Sequence, residues 1–250
     1  MTLKSSNPAF SKNTFEGSAI HVGYASTMTV SGTVNKAGIL MLCVLATAAW
    51  SWNEFYTTRD MAMIGGLTMV GAFGGFIAAM VTIFKKEWAG FTAPVYALLE
   101  GLFLGSLSAT LELRFPGIAI EAVALTFGTC LCMLLAYRAG LIRVTQRFTM
   151  GLVAATGGIA LVYVASMLLG FFNVQIPGIF GSGPIGIIFS LVVCGIAALN
   201  LVLDFNFIEE GADRGAPKYM EWYSAFGLMV TLIWLYLEII RLLSKLRERE

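Results

Sequence analysis

The sequence predicts an all-α integral membrane protein, a seven-transmembrane-helix bundle. Three observations predict it. Long apolar runs recur along the 250 residues with few or no charged side chains. Only 12% of residues are charged against 58% hydrophobic, where a soluble domain carries roughly 25% charged, and mean hydropathy is +0.80. The charges that are present collect in short stretches between the runs, as expected for spans joined by solvated turns.

Residues 1–33 are rich in Ser, Thr and Asn and carry Lys4, Lys12, Glu16 and His21. No basic region leads into a short apolar core, so this is a polar, disordered tail rather than a signal peptide. Residues 34–250 then form a single seven-helix transmembrane domain with apolar segments at 37–53, 61–84, 92–111, 117–137, 148–172, 183–205 and 223–243. Each supplies close to the ~20 residues a helix needs to cross ~30 Å of hydrocarbon. The connectors hold Arg59-Asp60, Lys85-Lys86-Glu87, Glu112 with Arg114, and Arg138 to Arg147. Strands are excluded because the runs are too long and do not alternate.

Counting Lys and Arg on alternate sides sets the orientation. The side of the N-terminal tail collects Lys4, Lys12, Lys36, Lys85, Lys86, Arg138, Arg143, Arg147, Arg214 and Lys218, while the other side collects Arg59 and Arg114. The N-terminus is therefore expected to be cytoplasmic. Arg241, Lys245, Arg247 and Arg249 break the alternation if the last segment spans fully, which leaves the side of the C-terminal tail open.

Gly71 and Gly75, and again Gly101 and Gly105, are four residues apart, a spacing that lets membrane helices approach closely. Cys43, Cys130, Cys132 and Cys194 fall inside apolar runs with no metal or redox spacing and read as small hydrophobes.

An ionised group at mid-bilayer costs about 3 kcal/mol on insertion scales, so each needs a reason. Glu121 lies near a segment end and reads as interfacial. Glu100, in VYALLEGLFLGSLSA, faces the bundle either as a hydrogen-bonded structural group or as part of a polar path. Asp204 closes GIAALNLVLDF with Asn200 one turn earlier on the same face. Ser224, Thr231, Glu238 and Lys245 recur every seven residues, one polar stripe on an apolar helix. Arg241 is placed to pair with Glu238. Two readings stand. In one, Arg241 neutralises Glu238 and Asp204 ends its helix among the headgroups. In the other, the two acids form a site.

The stretch LNLVLDFNFIEEGADRGAPKYMEWYSAFGLMVTLIWLYLEIIRLLSKLR, with YALLEGLFLGSLSATLE upstream, resembles the bacterial branch of the transmembrane Bax inhibitor motif family, named for Bax inhibitor-1. The resemblance covers residues from about 37 to 247. It implies a bundle whose last helix is central, and a pH-sensitive calcium leak governed by two carboxylates on the sixth and seventh helices. These fall on Asp204 and Glu238, which the resemblance makes the pH-sensing, ion-binding pair and the ligands of a transported Ca²⁺. Glu238 stands where many relatives have Asp. Lys85 or Lys86 matches loosely a basic residue near the end of the second helix in relatives.

Two carboxylates in one low-dielectric site share a proton and titrate together; deprotonated, they offer oxygen ligands to Ca²⁺. With 33 residues between Asp204 and Glu238, a tight hairpin leaves them at different depths. Their meeting predicts a bend or short interfacial helix over residues 206–223.

The leading expectation is a pH-sensitive cation (calcium) leak channel or exchanger gated by this pair, with Glu100, Asn200, Arg241, Lys85 and Lys86 as pathway or supporting groups. Its rival is a non-conducting regulatory protein that binds a membrane protease or channel. Enzymes are disfavoured because the single histidine lies in the tail, away from any Ser/His pair or zinc site in the membrane. The expected partners are the lipid bilayer, calcium and protons, and a membrane protein, with no covalent cofactor. A formal net charge of +1 offers nothing to nucleic acid. The expected location is a bacterial inner membrane.

Overall fold

The computed structural model describes residues 27–172 and 178–249. Among these residues there are seven helices long and apolar enough to cross a membrane: α1 (Val30–Thr58), α2 (Met61–Phe84), α3 (Ala89–Arg114), α4 (Ile118–Arg138), α5 (Gln146–Phe171), α6 (Pro184–Asp213) and α7 (Met220–Arg247). All seven predicted spans are present. Most are longer than the apolar runs, because hydropathy marks the part in hydrocarbon whereas capping decides where a helix ends.

The caps are local. Thr29 accepts from Gly32 N–H to start α1, and Arg59 closes it in the left-handed region at φ 52°. Asp60 then caps α2 through the N–H groups of Ala62 and Met63. Glu112, near the end of α3, accepts from Gly117 and Ala119 N–H and so caps α4. Helices α4 and α6 end alike. Gly140 (φ 69°) and Gly215 (φ 65°) turn left-handed, and Leu141 and Ala216 donate back to Ala136 and Gly211, the glycine-closed ending that a side chain would strain.

Two expectations are corrected. The polar tail does not extend to residue 33: α1 begins at Val30, Met28 is buried, and its N–H donates to Ala216 O. Thr29 supplies the cap that hydropathy does not register. Residues 1–26, His21 included, lie outside the described residues. The segment 206–223 contains no separate helix, only a six-residue turn between α6 and α7. Helix α6 continues to Asp213 and α7 begins at Met220, because nothing breaks the helix before Gly215 and Pro217.

Packing divides the chain into two units. One holds the described residues to Ala119 with Asn206–Val230, and the other holds Ile120–Phe205 with the chain from Thr231. In the first unit both glycine pairs lie at helix contacts. A β-carbon on Gly101 would stand 2.4 Å from Val44 O, and one on Gly105 2.3 Å from Ala48 O, so the α1 and α3 backbones touch. One on Gly71 would stand 2.7 Å from Leu99 O, joining α2 to α3. Gly75 makes room for the Glu100 carboxyl. Helix α7 is the most buried of the seven, at 61% of its apolar window against 11% for α5.

Candidate functional site

The polar stripe of α7 faces inward along its whole length: Ser224, Thr231, Glu238 and Lys245 are all buried. In the second unit Glu238 is 1% exposed and both its oxygens are occupied. Tyr163 Oη of α5 donates at 2.9 and 3.0 Å, and Arg241 Nη1 at 2.8 and 2.9 Å. Trp234 Nε1 adds a contact of 3.3 Å. Arg241 Nη1 also donates to Tyr163 Oη at 2.7 Å, and its guanidinium lies 5.1 Å from the centre of the Tyr163 ring. The three side chains close a loop, with Phe180 and Phe189 against the outer side of the tyrosine ring. Such a closed set is how a buried carboxylate is stabilised, since removing any one donor leaves charge exposed to a medium of low dielectric.

Asp204 is fully buried on α6 in the same unit. Three sets of contacts give the helix register. Lys245 bonds to Gly186 and Ser190, Asn200 bonds to Thr156, and Glu238 bonds to Tyr163 while acting electrostatically on Cys194. Asp204 acts on Cys130 of α4. The structure buries both acids in one unit. Among the described residues no group of three or more His, Cys, Asp or Glu side chains is placed to hold a metal.

The remaining predicted residues divide. Asn200 pins α6 to α5 by donating to Thr156 Oγ1 and to Ile196 O, both at 2.9 Å. Arg241 belongs to the Glu238 cluster. In the first unit Glu100 is half-buried over Gly75 and acts on Tyr96. There too Lys85 is exposed, and Lys86 lies 5.7 Å from the centre of the Tyr223 ring. Glu121, half-exposed, pairs with Arg247 at 2.7 Å. Three of the four basic residues that disturbed the charge count have side-chain partners: Arg241 with Glu238, Lys245 with oxygens of α6 and the turn before it, and Arg247 with Glu121.

Sequence reasoning missed two polar centres. Tyr163 offered only a lone hydroxyl in an apolar run, and nothing local shows which helix it meets. Glu221 is completely buried at the start of α7, where it accepts from Thr29 N and Oγ1 at 2.9 Å and pairs with Lys36 and Lys218. That clasp joins the first turns of α1 and α7 over Gly32, where a β-carbon would overlap the carboxylate. The available signal was an acid just ahead of the predicted segment 223–243, where a helix dipole favours negative charge.

The chain matches the family model described as Bax inhibitor 1 like over residues 7–248. No curated protein and no solved structure matches it.

Proposed function

The chain belongs to the Bax inhibitor 1 like family, and from that premise we propose that it is a pH-sensitive leak channel or exchanger for cations, calcium among them, gated by carboxylates within the membrane. The observation that carries the reading is that Glu238, in a spanning helix, is held by a tethered cation, Arg241, in the unit that also buries Asp204. Arg241, a proton and a mobile cation compete for the same carboxylate. Proton binding to Glu238 removes the charge that fixes Arg241, and cation binding displaces it. Either event opens the Glu238–Arg241–Tyr163 loop. Asp204, buried on α6 in the same unit, acts as a second carboxylate station, and Glu100 is the corresponding acid of the other unit. We place the chain as a multi-pass protein of a bacterial inner membrane with its N-terminus in the cytoplasm. Cysteine labelling from outside intact cells at the Lys85-Lys86 or Arg138–Arg147 connectors would overturn that orientation.

The direct test is calcium flux through purified protein in liposomes across a range of pH. The proposal expects flux that changes with pH and is absent from empty liposomes. A second reading, a non-conducting regulator that binds a membrane protease or channel, is favoured by one observation: internal donors satisfy both Glu238 oxygens. It expects no flux at any pH.

A further inference from the structure

Lys245 is the most unusual cation of the second unit. It is 4% exposed, and its ammonium, which carries three donors, meets three oxygens: Ile179 O at 2.9 Å, Gly186 O at 3.0 Å and Ser190 Oγ at 2.9 Å. None is a carboxylate. Two backbone carbonyls and a hydroxyl make a neutral oxygen cage, of the kind that replaces the hydration shell of a monovalent cation or an ammonium group; calcium sites add carboxylates. The cage is held shut by backbone. A β-carbon on Gly186 would stand 2.0 Å from Gly181 O, and Gly178 turns at φ 86°, so residues 178–183 lie directly on the first turn of α6. The charged neighbours acting on the ammonium are Arg241 and Glu238, already paired with each other, and Glu248. Lys245 lies two turns beyond Glu238 on the same face of α7, about 10 Å further along the helix.

We propose that Ile179 O, Gly186 O and Ser190 Oγ form a monovalent-cation site that the chain fills with its own side chain, and that Lys245 thereby bars inorganic cations from Glu238 at this end of the unit. The barrier rests on the leak reading above. The site does not.

The experiment separates the two. Lys245→Ala removes Cγ, Cδ, Cε and Nζ, the atoms of n-propylammonium. In purified full-length protein, Lys245→Ala lowers Tm by about 5 °C. Added n-propylammonium chloride restores it saturably, tetramethylammonium (a charge without N–H donors) does not, and wild type responds to neither. Lys245→Met keeps the stem without the ammonium, so it is destabilised and does not respond. In liposomes, potassium flux through Lys245→Ala rises several-fold over wild type and falls again with n-propylammonium. A folded Lys245→Ala protein blind to n-propylammonium overturns the site. So does a Lys245→Met protein as stable as wild type, which decides the matter should Lys245→Ala not fold. Rescue of Tm with no potassium flux in any variant supports the site and overturns the barrier, while calcium flux through the same proteins decides the leak.

Discussion

Arg241 Nη1 stands 2.8 Å from one oxygen of Glu238 and 2.9 Å from the other, one turn apart on the same helix, and donates as well to the Tyr163 hydroxyl that serves the same carboxylate. The acid that resemblance marks as half of a proton-sharing pair is thus the centre of an ion-paired cluster of its own.

The cluster has a measurable coupling. Arg241→Gln leaves a buried carboxylate without its counter-ion, and its loss should destabilise the protein by about 1–3 kcal/mol, below the range for fully buried pairs because Arg241 is partly exposed. Adding Glu238→Gln should return much of that loss. A double-mutant cycle by thermal unfolding checks it; additive losses would mean that the pair contributes nothing.

Tyr163→Phe removes one donor while keeping the ring against Phe180 and Phe189. The expected loss is about 1–3 kcal/mol, the range for a hydrogen bond to a charged group. In Glu238→Gln the same change should cost about 1 kcal/mol or less, which the same unfolding assay reads.

Much of the fold was legible in the sequence, and the reasons are physical. Charge-free runs of sufficient length announce spans wherever the solvent is lipid, so all seven helices were found. The seven-residue spacing of Ser224, Thr231, Glu238 and Lys245 identified a stripe that is buried throughout. Arg241 was foreseen as the partner of Glu238 because the two are three residues apart on one helix. Tyr163 was not, since its contact joins residues 75 positions apart. The α6–α7 connection was misjudged for a different reason. The separation of Asp204 and Glu238 suggested an interruption there, whereas local chemistry stops the helix only at Gly215 and Pro217.

Helix contact by glycine gives a prediction with an internal control. Gly101→Ala forces a β-carbon to within 2.4 Å of Val44 O and should destabilise by about 1–3 kcal/mol as α1 and α3 part. Gly128→Ala meets nothing within 4 Å and should change stability by less than about 1 kcal/mol. Equal effects in a denaturant titration would argue against close α1–α3 packing.

The Glu221 clasp should show itself in local opening. Glu221→Gln removes the charge that Lys36 and Lys218 face, and hydrogen exchange over residues 28–36 should speed up well before global unfolding. Unchanged exchange there would mean that the backbone contacts of Met28 alone hold the start of α1.

The most direct measurement is calcium flux against pH, in liposomes, for Asp204→Asn, Glu238→Gln and the double mutant. Two carboxylates that act as separate stations respond independently, so each single amide should reduce the pH response and the double mutant should reduce it further, by roughly the product of the two effects. All three variants keeping the wild-type pH profile would contradict carboxylate gating altogether.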